Sequence, residues 1–268
     1  MKLIDAFIFA ISEYWNNRNL IFKLARANAK KQTIRTSLGI GWLYFRDIIY
    51  FAVYTFFRIV VAGNGKVDGI SAALYVILGL VPWLFMNDVL NRGSTVIISN
   101  RGIVKSLVFP TIIFPTVEVI SIFLQKVLNI LIAIVLTMFL HGGDHINICG
   151  VIYYVFSMIV LMICINNIIA AFVAISADFQ QFYLAFIRVL IYTLPVIWSF
   201  ERIKNTTIRL ILMSNPMAYI VDGFRNCFIA GFYFNLGYSC YFWIVVFILA
   251  ILGFYVQYKL RFYYSDML

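Results

Sequence analysis

Charged and hydroxyl-bearing side chains recur in this sequence inside stretches that are otherwise apolar. Asp47, Phe51, Tyr54 and Arg58 are spaced four, three and four residues apart, so on a helix they form one stripe, with Tyr44 and Tyr50 beside it. Gln181, Ala185, Arg188, Tyr192, Pro195 and Ser199 repeat that spacing, and Glu118 and Lys126 lie in a third stretch. A charge at mid-bilayer costs about 2.5–3.5 kcal/mol on the insertion scale, so each stripe must face protein or water rather than acyl chains. Two chemistries meet that demand. The first is interhelical ion pairing and hydrogen bonding that holds a bundle together. The second is a polar route with aromatic walls, lined by Tyr44, Asp47, Tyr50, Phe51, Tyr54 and Arg58 on one helix and by Arg188, Tyr192 and Trp198 on another. Aromatic faces with a few polar groups suit sugar rings, whose C–H faces stack on them while hydroxyls bond at the edges.

Motifs for bond-making chemistry are missing or malformed. GNGKVDG at 63–69 has a glycine and a lysine at the wrong spacing for a phosphate-binding loop. LGIG at 38–41 follows no strand and is better explained by close helix packing. HGGDH at 141–145 offers His141, Asp144 and His145, but its two glycines spoil a helical histidine pair, so a turn is expected and no metal site. Cys149, Cys164, Cys227 and Cys240 lack paired metal spacing; Cys227 and Cys240 could share a membrane face and pair, with isolated thiols the simpler reading.

The elements that must position the stripes follow from composition. Apolar residue types make up 63% of the 268 residues and charged types 12%, with a mean hydropathy of +0.94. A soluble domain of this length could not keep a wet, charged coat over so much apolar surface. The expected fold is an all-α polytopic membrane protein with six transmembrane helices, N-terminal amphipathic interfacial helices and two short re-entrant helices before the last span. A span needs about 20 mostly apolar residues. Six such stretches run over 38–62, 70–90, 111–140, 148–176, 182–199 and 238–259. The net charge of +10 fits cytoplasmic loops and anionic lipid headgroups, with no call for nucleic acid.

Residues 1–36 form a cytoplasmic amphipathic region and 37–268 the membrane domain. MKLIDAFIFAISEYW carries Asp5 and Glu13 and no small-residue cleavage site, so it reads as a surface helix with Leu3, Phe7, Ile11 and Tyr14 on one face, not as a signal peptide. In 18–36, Ile21, Phe22, Ala25 and Ala29 share a face, opposite Lys23, Arg26 and Lys30. Cations before the first span, Arg92, Arg101 and Lys105 after the second, and Lys259 and Arg261 after the last fall on one side, which predicts cytoplasmic termini. Lys66, Arg202, Lys204, Arg209 and Arg225 lie on the far side, beside Asp68, Asp144, Glu201 and Asp222. Segment 200–231 is apolar but broken. Asn215 is a plausible N-cap with Pro216 at the first helical position, and the piece ending at Gly231 is too short to cross.

SLGIGW at 37–42, LGLVPWLFMNDVL at 78–90, STVIISNRGIVKSLVFPTIIFP at 94–115 and NPMAYIVDGFR at 215–225 together resemble the permease subunits of ABC-2 type polysaccharide exporters, of the O-antigen, teichoic-acid and capsule type. The resemblance covers nearly the whole chain, and I-x-x-N-x-x-x-V-K-x-x-x-F-P-x-x-x-x-P over 97–115 is its most specific part. It implies a multi-pass protein of the bacterial cytoplasmic (inner) membrane and a homodimer with two copies of a separate ATP-binding subunit. ATP and Mg are then bound on that partner, and no cofactor on this chain. The implied cargo is a polyprenyl-diphosphate-linked polysaccharide. The implied coupling region is 92–109, with Val96, Ile97, Ile103, Val104, Leu107 and Val108 as apolar contacts and Arg92, Asn100, Arg101 and Lys105 as polar ones; a plain basic loop on the membrane surface is the alternative. Segment 200–231 resembles outer-face gate helices, with Asn215, Pro216 and Arg225 as its markers, and its cations could meet an anionic polymer or pair with Glu201 and Asp222. Two positions depart from the pattern: Asp47 stands where relatives have proline, and Glu118 where an apolar residue is expected. A permease for a small amphiphile, or a membrane enzyme acting on a polyprenyl lipid, are the competing readings.

Overall fold

A computed structural model describes residues 2–31, 39, 41–63, 65–67, 69–106, 110–143, 146–229, 233–261 and 264. Residues 37, 38 and 40 of the SLGIGW stretch lie outside them, as do Leu107, Val108, Asp144, His145 and Gly231. Two N-terminal helices come first, α1 (Lys2–Asn16) and α2 (Arg18–Lys31), then α3 (Gly41–Ala62). A two-residue-per-strand hairpin, β1 (Lys66–Val67) and β2 (Ile70–Ser71), leads into α4 (Ala72–Asp88). A π-helical turn, Val89–Gly93, and the short helices α5 (Val96–Ser99) and α6 (Arg101–Ser106) follow. Then come α7 (Ile113–His141), α8 (Ile148–Ile175), α9 (Ala177–Thr193), α10 (Thr206–Met213), α11 (Pro216–Asn226) and α12 (Leu236–Leu260).

The caps are written in the sequence. Ser71 Oγ accepts from the Leu74 N–H at 3.3 Å and opens α4. Asn147 caps α8, Asn205 caps α10 and Asn235 caps α12, each through its side-chain oxygen. Asn215 accepts from the Met217 N–H at 2.9 Å, with Pro216 at the start of α11, as expected. Ser176 both ends α8 and caps α9, so one residue turns the chain between them.

Among the described residues, four segments are long and apolar enough to cross a membrane: Ala72–Gly93, Ile113–His141, Ile148–Ile175 and Leu236–Leu260. The chain is therefore a multi-pass, helical membrane protein, and the other two expected spans fall short for separate reasons. Helix α3 is 22 residues long but carries Arg46, Asp47 and Arg58. Helix α9 stops after 17 residues, at Thr193. Leu194 is extended (φ −96°, ψ 147°), the conformation forced on a residue that precedes proline. Pro195 and Ser199 thus leave the helical stripe to which their spacing had assigned them.

Helix α4 is the central post, buried along its length and packed against α3, α7 and α11, while α8 packs between α7 and α12. Helix α2 lies on α7 through Ile21 and Ala25, with Lys23 and Arg26 outward; Phe22, expected on the apolar face, is instead 58% exposed. Helix α1 differs from expectation. It buries Ala6 and Ala10, whose small side chains let it approach α12, and leaves Ile8, Ile11 and Trp15 exposed. The ends of the bundle are distinct. One carries α1, α2, the start of α3 and the end of α12; the opposite end carries the hairpin, α10, α11 and the starts of α8 and α12.

Candidate functional site

The stripe predicted on α3 exists and faces inward. Asp47, Phe51 and Arg58 are buried and Tyr54 half-buried, against α4 and α7. Lys126 Nζ donates to the two Asp47 carboxylate oxygens at 2.8 and 2.6 Å, and Asn129 Nδ2 donates to one of them at 2.6 Å. Lys126 Nζ also lies 3.0 Å from Asp88, at the end of α4, and Arg46 Nη2 lies 2.6 Å from the same Asp88 oxygen. Two cations and two carboxylates from three helices neutralise one another; Asp47, Lys126 and Asp88 are buried, where an unpaired charge would be expensive, and Arg46 closes the network with a side chain 42% exposed. Of the two chemistries the sequence left open, Asp47 takes the ion pair. Glu118 behaves alike: Arg92 Nη2 meets it at 2.7 Å and Arg92 Nη1 donates to Gln125 at 3.0 Å. Asp47 and Glu118 are thus the acidic halves of two interhelical ion pairs.

The uncovered face of α3 is the other one. Trp42, Phe45, Phe56 and Phe57 are exposed, and so are Phe182, Phe186 and Arg188 on α9. Tyr192 is 69% exposed. Tyr50 stacks on Tyr54 with ring centroids 6.2 Å apart, and Trp198 donates from Nε1 to the Tyr192 carbonyl at 3.2 Å. Tyr44 is half-buried near Asp47. Tyr50 and Tyr54 thus stack on α3 and Trp198 bonds back to Tyr192 at the end of α9, with Tyr54 on the same inward stripe as Asp47, Phe51 and Arg58.

The expected coupling region is not one helix. It breaks at Asn100 (φ −106°, ψ 17°), whose Nδ2 donates to the Val96 carbonyl at 2.7 Å. Ile97 is fully buried, and Val96 nearly so, among Phe114, Ala170, Ala171 and Tyr264. Those side chains do not face a partner, and Arg92 is spent on Glu118. Arg101 and Ile103 remain exposed; the side chains of Val104 and Lys105 lie outside the described part of the chain. Tyr14 fixes this end. Its hydroxyl donates to the Ile112 carbonyl at 3.2 Å and accepts from Thr116 and Asn167, and burial pushes it up to about 12.

At the opposite end Arg225 on α11 is buried rather than offered to a cargo. Its Nη1 donates to the Tyr75 hydroxyl at 2.7 Å, its Nε to the Tyr75 carbonyl at 3.2 Å, and its Nη2 to the Pro195 and Val196 carbonyls at 2.5 and 3.0 Å. The guanidinium also lies 3.7 Å over the Tyr75 ring. Any Cβ at Gly79 would collide with Arg225 and the Val196 carbonyl, so glycine keeps the site open. Arg225 is a buried tie between α11, α4 and the extended segment after α9. Beside it, at the surface, is a cavity of 520 Å³ between α8, α10, α11 and α12. Sequence reading missed Asp88, Asn129 and Tyr75. An acid in the last turn of an apolar span was the available signal for Asp88, whereas Tyr75 looks like any other tyrosine. All four cysteines are free thiols, and among the described residues no group of His, Cys, Asp or Glu could hold a metal ion.

No family model matches the sequence. Over 220 residues, 81% of this chain and 83% of the relative, it is 21% identical to the O-antigen export system permease protein RfbA of Myxococcus xanthus. Over 260 residues, 93% of this chain and 95% of the relative, it is 22% identical to the protein of that name from Klebsiella pneumoniae. The chain is thus similar, over most of its length, to permease proteins of O-antigen export systems, which are transport components and not enzymes.

Proposed function

We propose that this chain is the transmembrane permease half of an ATP-driven exporter that moves a lipid-linked polysaccharide across the bacterial cytoplasmic membrane. The observation that carries the reading is the set of aromatic side chains left uncovered in the single chain, Trp42, Phe45, Phe56 and Phe57 on α3 and Phe182, Phe186 and Tyr192 on α9. A second copy of the chain closes that surface into a conduit. Stacking contacts are weak and tolerant of which ring they meet, which suits a polymer that must keep moving. The similarity to O-antigen permeases supports the same cargo class. In this reading α3 and α9 complete six spans, with both termini cytoplasmic. Asp47, Lys126 and Asp88 make α3 insertable by cancelling its inward charge, and Arg188 and Tyr44 border the conduit. The helices α10 and α11 form the outer gate, opened by Asn215 and Pro216 at the start of α11 and tied down by Arg225. ATP and Mg bind a separate partner subunit, two copies to a homodimer. The exposed Arg101, with Lys105, meets that partner and passes its movement to α4 through the Arg92–Glu118 pair.

The test is to inactivate ATP hydrolysis in the partner. Surface polysaccharide should disappear while lipid-linked polymer accumulates inside the cell. Unchanged export, or turnover of a polyprenyl substrate by the purified chain without partner or nucleotide, overturns the proposal.

A further inference from the structure

A further cavity, at the end that carries α1 and α2, lies between α2, the first turn of α3 and α7, and has a volume of 360 Å³. That is within the range of about 300–1,000 Å³ usual for small-ligand sites. Its wall has two chemistries. Arg26, Ala29 and Lys30 are three and four residues apart, so they share one face of α2, and both cations are exposed. Helix α3 supplies Leu43 and Tyr44, and α7 supplies Leu124 and the Gln125 that accepts from Arg92. Trp42 marks the depth. It is 52% exposed in the first turn of α3, and exposed tryptophans of membrane proteins collect where lipid chains meet headgroups. Leu43 and Tyr44 follow it directly, so the cavity lies at headgroup level.

Charge is one-sided here. Helix α2 carries five cations and no acid, and no acid occurs from its end to Arg46. Among the described residues no carboxylate lines the cavity. The acids nearest in sequence on the two partner helices are committed elsewhere, Asp47 to Lys126 and Glu118 to Arg92. A zwitterionic headgroup would bring an ammonium with no acid to receive it, and a free phosphate would leave the leucines facing water. A lipid whose headgroup is net negative meets both demands, since its phosphate bonds a guanidinium while its chains cover apolar surface. We propose that this cavity seats one anionic phospholipid of the leaflet that borders α2, with its phosphate against Arg26 and its glycerol and upper chains against Leu43, Leu124 and the Tyr44 ring. This is a single built site, distinct from the diffuse attraction of a basic helix for a charged membrane surface. It depends on the helices lying in a bilayer and not on what the protein exports.

The full chain is purified in a neutral detergent, stripped of lipid and mixed with phosphatidylglycerol, phosphatidylcholine, inorganic phosphate or a polyprenyl diphosphate, and bound molecules are counted by native mass spectrometry. One phosphatidylglycerol per chain should be retained at concentrations that leave phosphatidylcholine unbound, and its affinity should fall fivefold or more in Arg26→Gln. Arg26 is exposed, so the replacement leaves the fold intact and keeps the result readable. Lys23→Gln removes a cation of the same helix that does not line the cavity, and should leave the affinity unchanged. An unchanged affinity in Arg26→Gln, or an equal loss in both variants, would reduce the effect to general surface attraction and overturn the site. Equal retention of phosphatidylcholine would show that charge does not select the occupant. Competition by inorganic phosphate at the concentration of the lipid would show that the apolar wall does nothing. Displacement of phosphatidylglycerol by a lower concentration of polyprenyl diphosphate would make a carrier lipid the occupant. Each of these three results overturns the inference as well.

Discussion

Lys126 shows how a single side chain decides whether α3 can be built. It meets Asp47 at 2.6 Å and Asp88 at 3.0 Å, and only 5% of its side chain is exposed. Removing it in Lys126→Ala leaves the buried Asp47 without a close cation, since Arg46 stays on Asp88, and losing one partner of a buried pair costs about 3–5 kcal/mol. Thermal unfolding of the purified protein in detergent should register that loss. The double variant Asp47→Asn/Lys126→Met should recover much of it, because the remaining amide can still bond Asn129. Equal destabilisation by the single and double variants would show that the two residues do not act as a pair. Gly79 is the same kind of position at the other end. Gly79→Ala forces a methyl against Arg225 and the Val196 carbonyl, and overpacking of this sort costs about 1–3 kcal/mol. The unfolding midpoint should drop, and an unchanged midpoint would mean that Arg225 is free to move aside. Asp47 was legible as a charge needing a partner, since any acid in an apolar helix needs one. Its partner was not, because Lys126 lies 79 residues away and no local spacing encodes that distance.

At the scale of elements, α9 carries the sharpest difference between pattern and structure. Its stripe runs true from Gln181 to Tyr192 and then stops, because Pro195 forces Leu194 out of the helix. The extended segment that follows supplies the carbonyls of Pro195 and Val196 to Arg225. The proline that shortens the span therefore creates the acceptors that tie down α11. Tyr192 lies exposed in the last turn of α9, and Tyr54 is half-buried on α3. Replacing either with alanine removes a stacking contact worth about 0.5–1.5 kcal/mol, so polymer export should slow several-fold in pulse-labelled cells while the complex still co-purifies. Normal export in both variants would remove the aromatic-path idea. Segment 92–109 reads as amphipathic, yet Val96 and Ile97 point into the chain's own core. Lys105→Glu should then loosen the ATP-binding partner or uncouple hydrolysis from export, and a complex that forms and exports normally would move the docking surface elsewhere.

For the whole molecule, charge and aromatic surface are sorted by end and by side. Ion pairs cluster where α3, α4 and α7 meet near the N-terminal helices, and a polar, tyrosine-walled cavity sits at the opposite end. Between them, the α3–α9 side is left apolar and uncovered, with Phe56 at 63% and Phe182 at 70% exposure. Lipid can cover such a side, but a second copy covers it specifically. Phe56→Cys in an otherwise cysteine-free chain should form a symmetric disulfide in membranes on mild oxidation, whereas a cysteine at Phe139, exposed near the end of α7, should not. Equal cross-linking at both positions would argue for random collision in the bilayer.

By itself the sequence determined the solvent of this protein, the length and order of its main apolar helices, their caps and the inward stripe of α3. Each of these depends on neighbours within a few residues or on total composition: hydropathy, helical periodicity, and asparagine or serine ahead of a helix. Tertiary structure alone decided which acid meets which base, that Ile97 and Arg225 are buried rather than presented, and that four tyrosines converge on one cavity. Those outcomes depend on residues far apart in the chain being brought within a few ångströms, and on the strong preference of charges in a low-dielectric interior for a partner over an open face.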